Sequence, residues 1–373
     1  MNLGLVICRY VTTGLGECMG TIYVLGNGFD LQCGLKTKYS HFFSWCRKTY
    51  PWYKNVTSSH PQDFSFDSNV RNAIDKPEFT VWDLYFIIHS PKMNHDLWCD
   101  IEAEMNQSIQ TGFWETILDT INDFLDCGTW GNSDLNWYFS YMLYKRYFDD
   151  GTYLSRLGFP REFFKSKVVL ESEFIEKLLN ELNSFEDRFK QYITKEVDEI
   201  SDSYFKNQEL LFEKLINHTI REKPMYVFTF NYTPLIDDYK GDVVKVQNLH
   251  GSVLNHPIFG ISADSNTKSS FERFTKANRR IQNDIPPISE LIEEEDNSVV
   301  FYGTSLNSFD IDYYSNVLNF FNKKKNVYFC YSDFDGINNK VEATTSVQKM
   351  INSVFPNSFY KLIEQGKIKI VKV

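Results

Sequence analysis

The amino-acid sequence predicts an α/β fold in which a mainly parallel β-sheet carries helices on its faces and is interrupted by a large helical insertion. Three observations predict it. The apolar run TIYVLG at residues 21–26 ends on glycine, as a short buried strand does. After residue 225 comparable β-rich runs recur, each closing on glycine, serine, asparagine or a similar polar residue. Between these regions, from about residue 79 to 220, the apolar positions follow helical spacing. Strands alternating with helices specify parallel pairing, because a parallel neighbour needs a crossover connection.

Taken in order, the first strand hands over to Gly26, Gly28 and Gly34, and KYSHFFSWCRKTY then predicts a helix with a basic last turn. From 51 to 78 the composition turns polar and predicts an irregular surface excursion. In EFIEKLLNELNSFEDRFKQYI, Phe174, Leu178, Leu182, Phe185, Phe189 and Tyr192 form one apolar stripe, a packing face, and LLFEKLINH adds a further helical segment. The stripe can pair two copies of the chain or be used up within one. MYVFTFNYTPLI, VVKVQNLHGS, NHPIFGIS, NSVVFYGTSLNSFDIDYY and NVYFCYS supply the later strands, with YYSNVLNFFNKK a helix between two of them. Residues 19–50 and 221–373 thus make the α/β domain and 51–220 the insertion. Met19 stands directly before the patterned region, so residues 1–18 read as a disordered or non-native extension.

Composition narrows the function classes. A net charge of −10 and a pI near 5.3 disfavour a long nucleic-acid groove, which needs clustered Lys and Arg. FTKANRR at 274–280 is a modest basic exception. Cys8, Cys18, Cys33, Cys46, Cys99, Cys127 and Cys330 are scattered and never form C-x-x-C, which predicts reduced thiols in the cytoplasm rather than disulfides or a thiolate zinc site. No apolar run reaches a membrane span, and no basic start marks a secretory signal. His89 and His95 lack metal-ligand spacing, so no metal is expected. In WCDIEAEM, Asp100 and Glu104 share a helix face and Glu102 does not; all three read as surface carboxylates.

In a parallel sheet the ligand crevice lies beyond the C-terminal strand ends. Four clusters fall there: Gly26-Asn27-Gly28, Asn231-Tyr232, His250-Gly251 and Gly303-Thr304-Ser305. The glycine turn fits neither G-x-G-x-x-G nor a Walker A loop. It is either a tight strand-to-helix turn or a loop whose N–H groups face phosphate oxygens. Asp30 either caps the turn or holds a ribose hydroxyl. Asn231 can orient a ligand or satisfy its own turn. His250 is either structural or a base and hydrogen-bond partner to a sugar hydroxyl.

YVLGNGFDLQCGLKTKYSHFF, WCDIEAEM, VFTFNYTPLI, LHG and FYGTSLNSFDIDYY together resemble the bacteriophage abortive infection family AbiH, from about residue 21 to the C-terminus. The resemblance implies a distant relationship to sirtuin-like NAD-binding domains and hence a Rossmann-like sheet. The glycine-alanine-glycine of that pattern falls on Gly26, Asn27 and Gly28, with Asp30 where serine is frequent, and glycine-isoleucine-proline on Gly34, Leu35 and Lys36. T-Q-N-x-D falls on Thr229, Phe230, Asn231, Tyr232 and Thr233, the histidine-glycine pair on His250 and Gly251, and G-T-S on Gly303, Thr304 and Ser305. The glutamine and aspartate of the central motif are missing, and so is the four-cysteine zinc module of true sirtuins, which speaks against deacylation. The resemblance implies NAD as substrate or ligand, contacted by Gly26, Asn27, Gly28, Phe29, Asp30, Thr229, Asn231, His250, Gly303, Thr304 and Ser305, with Asn231, His250 and Asp30 catalytic. A phage-derived trigger is the partner that such a role implies. A non-catalytic nucleotide sensor and a nucleic-acid-targeting effector are the alternatives.

Overall fold

The computed structural model describes residues 20–59, 64–89, 101–127, 135–149, 168–220, 222–235, 242–262, 267–287, 298–306, 310–319, 326–333 and 339–373. The extension at 1–18, together with Asp100 and His95, lies outside them. Among the described residues six strands form one sheet: β1 (Thr21–Leu25), β2 (Met225–Thr229), β3 (Val243–Asn248), β4 (Ser298–Tyr302), β5 (Val327–Tyr331) and β6 (Ile368–Lys372). Their order is 3-2-1-4-5-6, and all five pairings are parallel. This is the order of doubly wound dinucleotide-binding sheets, and it reverses direction between β1 and β4.

β1, β2 and β4 are buried from end to end, which explains why they read as unbroken apolar runs: a central parallel strand is covered on both faces. The two faces still alternate. Tyr23, Leu25, Val227, Val300 and Tyr302 point to one core, shared with the insertion. Ile22, Val24, Phe228, Val299 and Phe301 point to the other, packed by the helices Ile311–Asn319, Lys340–Val354 and Phe359–Glu364.

Between β1 and β2 the chain builds a helical body that ends in the 48-residue helix Glu171–His218, kinked at Ile200. All six residues of the Phe174–Tyr192 stripe are buried in the chain's own core, so the stripe is used up within one copy. Buried ion pairs add to this packing: Arg188 with Asp83, and Glu186 with Arg279, whose helix follows β3. Breaking such a pair from one side costs about 3–5 kcal/mol, because a buried charge is left uncompensated.

Two expectations are corrected, and one strand is added. The polar stretch 51–78 contains the helices Pro51–Thr57 and Phe64–Ile74, whose sparse apolar residues Tyr53, Val56, Phe66, Val70 and Ile74 are all buried. NHPIFGIS is not a strand: the Ile258 N–H donates to the His250 carbonyl and the Phe259 N–H to the Glu186 carboxylate, so only an isolated bridge, Ile261 to Thr275, forms. β6 went unpredicted because its edge position leaves it half polar. Among the described residues no helix is long and apolar enough to cross a membrane.

The glycine turn also differs from its phosphate-loop alternative. The Gly26 N–H donates to the Tyr302 carbonyl at 2.9 Å and the Gly28 N–H to the Gly303 carbonyl at 2.8 Å, so neither is free to face a phosphate. What the glycines supply is contact. A Cβ on Gly26 would lie 2.5 Å from the Gly303 oxygen, one on Gly28 2.6 Å from the Gly303 Cα, and one on Gly303 2.5 Å from the Phe29 nitrogen. Gly303 also has φ +69°, whereas Gly366, at φ +66°, has nothing near its missing Cβ. Gly366→Ala should therefore cost about 1–2 kcal/mol for backbone strain alone. Gly303→Ala should cost at least about twice that, since rigid backbone must also shift. Urea unfolding midpoints check this ranking; equal losses would show that the contact does not govern.

Candidate functional site

At the C-terminal ends of β1 to β4 lies a cavity of about 370 Å³. Gly26, Asn27, Gly28, Asp30, Asn231, His250, Gly303, Thr304 and Ser305 line it, together with Phe230, Tyr232, Thr233, Glu102 and Asp310. Four loops far apart in sequence are thus brought to one place. Register explains the convergence: Leu25 is level with Thr229 on one side and with Tyr302 on the other, so the turns that follow emerge side by side. A second cavity of about 260 Å³ adjoins it and shares Gly28, Gly303, Thr304 and Ser305 as a rim.

Two expected residues do not line either cavity. Phe29 is buried and turns its ring edge-on to Tyr302 in the core, 6.3 Å between centroids. Thr229 sits behind the site, where its hydroxyl accepts the Asn231 N–H at 3.0 Å and fixes the turn.

Asp30 is buried at the cavity floor. Tyr204 from the long helix donates to its Oδ1 and Thr233 to its Oδ2, each at 2.8 Å. Burial pushes its carboxyl up to about 7, against the lowering effect of Thr233, Tyr204 and Asn231. Asn231 is 4% exposed, and its side-chain Nδ2 has no hydrogen-bond partner of full geometry. Its backbone carbonyl accepts from Asn248 at 2.7 Å, so the turn is satisfied without the side-chain amide.

His250 is 5% exposed, with the rings of Phe230 at 5.2 Å and Tyr313 at 5.4 Å packed around it. Burial, with the neighbouring Lys276 charge next, pushes its imidazole down to about 4; Asp310 opposes both. The ring is therefore neutral at physiological pH. Its Nε2 lies 3.4 Å from Asp310 Oδ1 without reaching hydrogen-bond alignment.

Two polar groups read from the sequence as surface features are buried here. Glu102, on the helix Ile101–Gln110, is 8% exposed and pairs with Lys276 at 2.8 Å. Lys276 and Arg279 of FTKANRR are 4% and 2% exposed, and both are held in ion pairs, so the stretch offers no continuous basic surface. The sequence gives Asp310, Lys276 and Tyr204 no place in the site, and Thr233 enters only as the position where the central motif lacks its aspartate. Asp310 breaks an aromatic-rich run, Lys276 lies inside the basic stretch FTKANRR and Thr233 inside VFTFNYTPLI, and none of these settings marks a buried polar group.

A family model described as "Bacteriophage abortive infection AbiH" matches residues 22–331, a span that holds every residue lining the first cavity. No curated protein matches the chain.

Asp30 gives the site a test that needs no ligand. Its carboxyl titrates near 7 in the folded chain, and near 4 when unfolded. Below about 4 both states hold the proton; between about 4 and 7 only the folded state does, so this group's contribution to stability is lost as pH rises through that window. Asp30→Asn keeps one acceptor oxygen for one hydroxyl, turns its amide N–H to the other, whose oxygen can accept it, and removes the titration. Its melting temperature should therefore rise relative to wild type progressively from pH 4 to 7 and hold its advantage above. Parallel profiles would contradict the burial argument.

Proposed function

Because the chain belongs to the bacteriophage abortive infection AbiH family, we propose that it is an antiphage effector that takes NAD into the cavity at the ends of β1 to β4 and hydrolyses it to nicotinamide and ADP-ribose. The observation that carries this reading is the pairing of Asn231 and His250. Both are buried polar side chains that line one cavity at the reversal point of a parallel sheet, and neither Asn231 Nδ2, beside Asp30, nor His250 Nε2, 3.4 Å from Asp310, makes a hydrogen bond of full geometry. Buried polar groups are normally satisfied, so the Asn231 amide, left short of a full hydrogen bond, suits a ligand that completes it.

The remaining geometry fits a dinucleotide. Two adjoining cavities meet over the Gly303–Ser305 rim, which suits a molecule with two ends and a narrow waist. In this reading the ribose and nicotinamide occupy the first cavity among Phe230, Tyr232 and Tyr314, and the adenosine the second. When the bond between the nicotinamide nitrogen and the ribose breaks, its electron pair leaves with nicotinamide and positive charge develops at the anomeric carbon. In this reading Asp30, which lines the same cavity, is the carboxylate that stabilises that charge and, with a pKa near neutrality, collects the proton of the incoming water. Asn231 orients the water or a ribose hydroxyl. His250, being neutral, accepts a hydrogen bond from a ribose hydroxyl. The opposite displacements of Asp30 and His250 separate these roles.

Purified protein incubated with NAD should release nicotinamide. His250→Ala and Asn231→Ala should each lower that rate by roughly 10²–10⁴-fold with the fold retained. The same variants should lose phage protection at wild-type abundance. Saturable NAD binding without turnover would favour the sensor reading instead. Full protection by His250→Ala would end the catalytic assignment.

A further inference from the structure

From His250 a line of buried charges runs along the cavity wall and ends in the helical insertion, with Asp310 and Glu102 lining the same cavity. His250 Nε2 stands 3.4 Å from Asp310 Oδ1. Lys276 Nζ reaches the same Asp310 oxygen at 2.5 Å and Glu102 Oε2 at 2.8 Å. The four side chains are at most 11% exposed, and they come from four separate places. His250 follows β3, Lys276 opens the helix Lys276–Gln282, Asp310 precedes the helix Ile311–Asn319, and Glu102 lies on the helix Ile101–Gln110. Two carboxylates and one ammonium out of water need mutual compensation, and the geometry supplies it. It does not require an imidazole at the end of the line; of the four, His250, Asp310 and Glu102 line the cavity with Asn231 and Asp30, and Lys276 stands behind them.

We propose that Asp310 is a positioning residue for His250, and that Lys276, braced by Glu102 of the insertion, fixes Asp310 so that His250 carries its proton on Nε2 and turns the Nδ1 lone pair to the ligand. The assignment rests on reading His250 as the group that accepts a hydrogen bond from the ligand. Its physical basis is general. An imidazole edge facing a carboxylate takes the tautomer that places N–H toward that carboxylate, and the other nitrogen becomes the acceptor. An unshared Asp310 carboxylate would also draw the ring toward imidazolium. Lys276 on the same oxygen removes that pull and keeps the acceptor nitrogen free of a proton. The charged groups facing the ring are Asp310, Lys276 and Arg280, the last stacked on Tyr313 with Glu102 beyond Lys276. The insertion thereby becomes part of the site's electrostatics.

The test is NMR of the full chain with ¹⁵N,¹³C-labelled histidine, His250 being assigned by its loss in His250→Gln. The wild type should show the Nε2–H tautomer at pH 7.5. Lys276→Met should raise the His250 pKa by about one unit or more, since a neighbouring cation is removed while Asp310 remains. Where Lys276→Met does not fold, Asp310→Asn carries the test: the Nε2–H tautomer should lose its dominance at the same pH. An Nδ1–H tautomer in the wild type, an unmoved pKa in folded Lys276→Met, or an unchanged tautomer in folded Asp310→Asn would each overturn the assignment. Nicotinamide release, read on the same samples, separates the two levels. The expected tautomer without any NAD cleavage would defeat the hydrolase reading and leave the positioning role standing. Cleavage with the Nδ1–H tautomer would do the reverse.

Discussion

Gly26 and Gly28, just past the end of β1, lie in direct backbone contact with Gly303 at the end of β4, joined by the hydrogen bonds to the Tyr302 and Gly303 carbonyls. No side chain can be interposed there, and the contact sits at the one point where the strand order reverses. Its consequence is positional. With the two turns locked together, Asn27 and Asp30 line the first cavity only, while Gly28, Gly303, Thr304 and Ser305 line both and form the rim between them. Phe29, directly after Gly28, packs its ring into the core and anchors the short helix Asn27–Gln32 from below.

On this frame the chain concentrates buried charge. Asp30 is held by hydroxyls from the long helix and from the turn after β2, while His250 faces a carboxylate already shared with an ammonium. Burial raises the carboxyl and lowers the imidazole, so the same desolvation drives both toward their neutral forms. The insertion takes part on both sides, through Tyr204 at Asp30 and through Glu102 at Lys276. It is a wall of the site as much as a body packed beside it. Glu186 extends the same arrangement, since it holds Arg279 of the Lys276 helix and the Phe259 N–H of the loop after His250.

What could be read from the sequence follows the physics of each element. β1, β2, β4 and β5 are short runs of apolar residues closed by turn formers, a pattern that buried parallel strands leave almost unavoidably. The Phe174–Tyr192 stripe was legible for the same reason, and four strand-end clusters followed from the strands. Buried polar residues were not legible. Glu102 belongs to an acidic stretch indistinguishable from a solvated helix face, and its partner Lys276 is 174 positions away in a segment that reads as basic surface. Lys276 and Asp310 are 34 positions apart, again with no local trace of the pairing. The glycines were legible as a close approach, but not their partner: that the approach is to Gly303, and uses up the N–H groups, depends on strand order. The helices within 51–78 escaped notice because a few buried apolar residues in polar surroundings suffice once a neighbour covers them.

The central claim is that one molecule of NAD spans both cavities over the glycine rim, with its ribose between Asn231 and His250. A crystal structure of the chain with a non-hydrolysable NAD analogue tests this most directly. The account predicts density for the nicotinamide riboside within hydrogen-bond reach of Asn231 and His250, and for the adenosine past Thr304 and Ser305. A dinucleotide bound elsewhere, or one lying wholly outside the cavity that Asn231 and His250 line, would contradict it.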